Sequence, residues 1–261
     1  MAVASASLDA IAAKMQEHDI EKTVLLASYF PHKQSGISNY RLLHWINDRL
    51  DWNDGHSQFC MFGSLDFEHY FYQGYNELEE LAGQNALQGI KIYTSYQHID
   101  LASEKMDLVA RLAAKKYLLL MFHVGSPYTA LRTPEPASIA NTVTPRDVQQ
   151  VAQRHPDVSV IIAHMGMPFL DDLVESVKAN DNLYADMSGL IDSKYDRPEI
   201  PGSIEAIKRF VGECGSKRLL FGSDFPVQTH EDAIAFIEEA GLTAEQKADI
   251  YYNNAARLLP C

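Results

Sequence analysis

Cysteine is scarce in this chain: 261 residues carry three, Cys60, Cys214 and Cys261. They are far apart and odd in number, and no pair has C-x-x-C spacing. That argues against a disulfide framework and against a cysteine-type structural zinc. A reducing cytoplasm is the default location for such a chain. Long apolar runs are lacking too; none approaches the roughly 20 residues of a membrane span. The N-terminal stretch has neither the basic region nor the apolar core of a secretory signal. Positive charge is in deficit, with 22 Lys and Arg against 35 Asp and Glu and a formal net charge of −13. An acidic surface speaks against nucleic acid or an anionic membrane as the main partner and leaves a small-molecule substrate. No G-x-G-x-x-G and no G-x-x-x-x-G-K follows any apolar run, so the nucleotide-binding α/β folds lose their main support.

What is present is an alternation. Seven short apolar runs read as buried strands: "TVLLASY" from Thr23, "FCMFGSL" from Phe59, "GIKIYT" from Gly89, "YLLLMFHVG" from Tyr117, "VSVIIAHMG" from Val158, "LYADMSG" from Leu183 and "RLLFGSD" from Arg218. Helix-period segments separate them. Leu8, Ile11 and Met15 share one face, and so do Ile204, Ile207 and Val211. Thr144 with Pro145 and Asp147 is a helix start, and "TAEQ" from Thr243 is a capping box. A βα repeat of this kind predicts a parallel sheet: a (β/α)8 TIM-like barrel or a doubly wound sheet, in one domain over residues 1–261. The first helix precedes any convincing strand, so the first barrel strand is missing or reduced to "AVASA".

In a barrel the reactive groups sit at the C-terminal ends of the strands. Three runs end there on a polar residue beside a glycine: His123, His164 and Asp224. Singly, each has a plain structural reading, a hydrogen-bonded histidine or a helix-capping aspartate. Together, two imidazoles and a carboxylate at one mouth suit a divalent metal such as zinc, with a water in the open position. Metal-bound water has a pKa near ~7, and a nearby carboxylate can take its proton.

The motifs "GIKIY", "MFHVG", "VIIAHMG", "NLYADMSG", "RLLFGSDFP" and "NNAARLL" occur in the order and spacing of a known family. The chain resembles the amidohydrolase-related metal-dependent hydrolases, the branch with aminocarboxymuconate semialdehyde decarboxylase-like and 2-pyrone-dicarboxylate lactonase-like enzymes. The likeness runs from about Leu8 to the end; "GSDFP" and "AHMG" are its most specific pieces. It implies a metal ligand at His123, a residue serving the substrate or the metal at His164, and a metal-binding acid/base at Asp224. It also implies a divalent cofactor, zinc or manganese. One departure stands out. The family's first strand carries an H-x-H pair, and no two of the ten histidines here are two apart. Either the start is misassigned or truncated, or another group supplies those ligands, or this member has lost its metal.

Lys91 and Tyr93 alternate on "GIKIY" and so share one side of a strand. Facing inward, they are candidate substrate contacts, Lys91 for a carboxylate. The plain reading is a core lysine paired with Asp66 or Asp186. Asp186 and Ser188 share a face and read as interior hydrogen-bonding groups. The stretch 126–143 is long for a βα loop. It reads as a lid or substrate loop, with Tyr128 and Arg132 as contacts; a solvated insertion or a homodimer contact are the other readings. Trp45 and Trp52 read as packing residues. The functional expectation is hydrolysis of a carbonyl bond (lactone, ester or amide) in a small, carboxylate-bearing substrate by metal-bound water, with His164 stabilising the oxyanion. Non-oxidative decarboxylation on the same scaffold is the alternative. A metal-free barrel without activity is the second.

Overall fold

The computed structural model describes residues 7–28, 36–48, 58–125, 143–190 and 202–259. All seven expected strands are there: β1 (Thr23–Leu26), β2 (Phe59–Gly63), β3 (Gly89–Ile92), β4 (Leu119–Phe122), β5 (Val160–Ile162), β6 (Leu183–Asp186) and β7 (Leu219–Leu220). They pair in chain order, every neighbour parallel. Helices α1 (Leu8–Glu17), α2 (Asn39–Asn47), α3 (Phe71–Gly83), α4 (Glu104–Lys116), α5 (Pro145–Arg154), α6 (Leu170–Ala179), α7 (Ser203–Cys214) and α8 (His230–Glu239) alternate with them. This is a TIM-like barrel, with seven strands among the described residues instead of eight. The "AVASA" stretch lies outside those residues.

Local chemistry explains the helix starts. Ser7, Ser38, Ser103 and Thr229 each accept a backbone N–H of the first turn through the side-chain oxygen. At α5 the Asp147 carboxylate accepts both the N–H and the hydroxyl of Thr144, each at 2.8 Å. At α9 (Ala244–Ala248) the box closes both ways: Thr243 N–H to Gln246 at 2.9 Å, and Gln246 N–H to Thr243 at 3.2 Å.

Two cores follow from the period of two along each strand. Leu25, Met61, Ile90, Leu120, Val160, Ile162, Ala185 and Leu219 belong to the large cluster that also holds the helices' apolar faces. The alternate residues Leu26, Phe62, Leu119, Met121, Ile161, Tyr184 and Leu220 form a second cluster, the inner wall of the barrel. Gly89 makes room there: a Cβ on it would lie 2.7 Å from the Phe62 ring. At roughly 2 kcal/mol for each fully buried large apolar side chain, the helix–sheet layer dominates the fold's stability.

The edge of β7 facing away from β6 is covered by the C-terminal segment. Phe221 N–H donates to Ile250 O at 3.1 Å. The buried Asn254 amide, in α10 (Asn254–Leu258), donates to Leu219 O at 2.7 Å and Ser216 O at 2.8 Å. Ala255, Leu258 and Leu259 then pack on the inner cluster. "NNAARLL" is therefore an edge cover and a plug for the barrel. Trp45 differs from expectation: it is an exposed residue with the Arg41 guanidinium 5.2 Å over its ring. Trp52 lies outside the described residues.

Candidate active site

The inner parity carries on past the strands. Gly89, Lys91 and Tyr93 follow one face of β3, Leu119, Met121 and His123 one face of β4, and Tyr184, Asp186 and Ser188 one face of β6. Lys91 and Tyr93 thus come together as expected, the ammonium 5.6 Å from the Tyr93 ring centroid. The Tyr93 hydroxyl donates to Ala27 O at 3.0 Å, and burial raises its pKa far above the ordinary tyrosine value.

His123 is the first residue beyond β4, and its N–H still pairs with Ile92 O at 2.9 Å. Its Nδ1 lies 3.0 Å from Ser95 Oγ, and that hydroxyl donates to Gly125 O. The serine proton is spent on the carbonyl, so Ser95 Oγ accepts from His123 Nδ1–H. The imidazole then presents the lone pair of Nε2.

His164 is out of phase with the inner face of β5, because parity after Ile161 points to Ala163. A turn corrects this. Ala163–Gly166 is a short 3₁₀ element in which His164 has φ +58° and Met165 φ +49°. The left-handed region costs a non-glycine residue about 1–2 kcal/mol. Here Asp186 Oδ1 holds the turn, accepting His164 N–H at 3.1 Å, Ser188 N–H at 2.9 Å and the Ser188 hydroxyl at 2.5 Å. His164 Nδ1–H donates to Ser188 O at 2.8 Å, so its Nε2 is also left with a lone pair. Burial pushes His164 below the ordinary histidine value; Lys91 pushes the same way, while Asp224 and Asp186 oppose. The ring is neutral at pH 7.

The two imidazoles meet edge to face, with centroids 5.1 Å apart. Asp224 lies beyond the short β7 on an exposed corner with φ +56°. Gly189 marks where it meets His164: a Cβ there would be 3.0 Å from His164 Nδ1 and 3.3 Å from Asp224 Oδ2. At φ +63° that position suits glycine on conformational grounds as well. Lys91 completes the group from below. Burial holds its ammonium below the ordinary lysine value, against the charges of Asp186 and Asp224.

The chemistry of this donor set, two imidazoles held through Nδ1 and one carboxylate, suits a divalent cation. The ligand atoms of His123, His164 and Asp224 do not all lie within 4.8 Å of one another. Among the described residues that spacing is met by Glu17, His18 and Glu231, and by Asp66, Glu68 and His69. The second group lies just past β2. Sequence reasoning named only Asp66 there, as a partner for Lys91; instead its Oδ1 accepts Glu68 and His69 N–H at 3.0 and 3.1 Å. Tyr128 and Arg132 lie outside the described residues.

The sequence profile of the amidohydrolase family, described as "Amidohydrolase", matches residues 15–261. A search of curated protein sequences finds no relative. Among solved structures, an uncharacterized TIM-barrel protein of Bordetella bronchiseptica superposes with a TM-score of 0.74 at 15% identity, over 97% of this chain and 82% of that one. A probable 2-pyrone-4,6-dicarboxylic acid hydrolase of Acinetobacter baumannii gives 0.69 at 16% identity, over 98% and 90%. The 5-carboxyvanillate decarboxylase of Sphingomonas paucimobilis gives 0.66 at 18% identity, over 95% and 82%. At these identities the likeness concerns the fold. No helix among the described residues is long and apolar enough to cross a membrane.

Proposed function

The chain belongs to the amidohydrolase family, and from that premise we propose that it hydrolyses a lactone, ester or amide bond of a small molecule at the mouth formed by His123, His164 and Asp224. The observation that carries this reading is the pair of Nδ1 hydrogen bonds. Each ties its imidazole to the scaffold as a proton donor through Nδ1, and at the Gly189 corner the Asp224 carboxylate comes up against the His164 ring.

His123, His164 and Asp224 would hold a divalent ion, which when bound supplies positive charge for the carbonyl oxygen and acidifies water. The chain's own residues do the rest. Asp224 takes the proton of the attacking water and returns it to the leaving group, as a carboxylate in reach of solvent can. His164 is a base or ligand in this tautomer, because an Nε2 without a proton cannot donate to an oxyanion. That shifts its role from the expected oxyanion donor. The Ser188 carbonyl, in a turn held by the buried Asp186, keeps the ring in that state.

The test is a panel of lactones and esters assayed by acid release, with wild type and Asp224→Asn. The reading expects turnover that falls at least about 100-fold in the variant, with folding unchanged. Release of carbon dioxide from carboxylated substrates, without acid release from the panel, would select decarboxylation, the chemistry named for the Sphingomonas neighbour.

A further inference from the structure

Two buried charged groups on different walls of the barrel interior are each short of a partner among the described residues. Lys91, 2% exposed, enters from β3. Among the described residues none accepts a hydrogen bond from its ammonium and no carboxylate pairs with it within 4.0 Å; its described contact is the Tyr93 ring face. Asp186, 3% exposed, enters from β6. Its Oδ1 takes three donors, whereas its Oδ2 is buried with none. The two are close enough for Asp186 to be the leading charge acting on Lys91.

Such groups are costly to leave unmade: about 1–3 kcal/mol for a buried polar atom, and more for a charged one. The space they flank therefore suits a group that accepts from an ammonium and donates to a carboxylate. A carboxylate or keto oxygen satisfies Lys91 alone, and a carboxylate is repelled by Asp186. An amine satisfies Asp186 alone and is repelled by Lys91. A hydroxyl satisfies both.

We propose that Lys91 Nζ and Asp186 Oδ2 form a hydroxyl-recognising subsite, and that the substrate carries an alcoholic or phenolic hydroxyl close to its reacting carbonyl. Asp186 also bonds the His164 backbone, so the subsite adjoins the reacting groups. The inference rests on the mouth being the reaction site, and it replaces the carboxylate contact expected of Lys91 with a hydroxyl contact.

Binding pairs test it without any turnover. Dissociation constants for 2-hydroxybenzoate against benzoate, and for lactate against pyruvate, would be measured by calorimetry. The proteins are wild type, Lys91→Met and Asp186→Asn, each checked for folding by circular dichroism. Wild type should favour the hydroxyl member of each pair by about tenfold or more. Lys91→Met should erase that preference. Asp186→Asn keeps an acceptor at Oδ1 and puts an N–H donor at Oδ2, so its order should reverse toward pyruvate. Equal binding within each pair, binding of none of the four, or a preference untouched by both substitutions would overturn the subsite. Hydrolysis of the lactone panel with equal pair binding removes only the subsite. Pair discrimination without hydrolysis removes only the proposed reaction.

Discussion

Lys14 and Lys91 each face two carboxylates, and the two lysines behave in opposite ways. Lys14, on α1, bridges Glu17 at 2.8 Å and Glu231 of α8 at 2.5 Å. Those hydrogen bonds raise its pKa. Lys91, in the barrel interior, lies near Asp186 and Asp224 without a hydrogen bond to either, and burial lowers its pKa. The surface cluster is satisfied by itself and ties two helices together. The interior cluster is left incomplete. The described residues pair Lys14 fully between two helices and give Lys91 no acceptor, and the proposed subsite rests on that contrast.

The sharpest way to break the contrast is at the acids. Asp224→Asn removes a proton acceptor that makes no side-chain hydrogen bond among the described residues. Turnover should fall by about 10³-fold, roughly 4 kcal/mol of barrier, while the melting temperature stays put. Asp186→Ala should act on the fold as well. It strands His164 N–H, Ser188 N–H and the Ser188 hydroxyl, and urea denaturation should show a loss of about 3 kcal/mol.

The lysines themselves give smaller effects of opposite sign. Lys91→Met replaces a buried cation, without a carboxylate partner among the described residues, with an apolar chain of similar length. Stability should rise or stay within about 1 kcal/mol as ligand affinity is lost. Lys14→Met should lower the melting temperature by no more than about 2 °C, since exposed ion pairs contribute little. The acid range refines this last point. Glu231 is held down to about 2, chiefly by the Lys14 hydrogen bond. A depressed carboxylate stabilises the fold above its unfolded value of 4.5 and loses that contribution as pH falls toward 2. The slope of stability between pH 5 and 2 should therefore flatten in Lys14→Met, by a small amount because the pair is solvent-screened.

Much of this was legible in the sequence. Seven apolar runs became seven strands, and the period of two put Lys91, Tyr93 and His123 on the inner wall with Asp186. His164 was legible as a residue but not as a geometry. By strand parity it points away, and only the positive φ of a turn held by Asp186 brings it in. Nothing in "YADMSG" shows that one oxygen of Asp186 would take three donors and the other none; that depends on a histidine 22 residues earlier. The edge cover of β7 was hidden for a similar reason. Nothing in "NNAARLL" shows that the Asn254 amide reaches Leu219, 35 positions away. The tautomers of both histidines were unreadable, since each is fixed by an acceptor from a different segment.

The central claim is that this mouth directs water onto a carbonyl carbon. Product formed in oxygen-18 water and weighed by mass spectrometry tests it most directly. The account predicts one labelled oxygen per turnover in the released acid, and loss of that label incorporation in Asp224→Asn. An unlabelled product released together with carbon dioxide would contradict it.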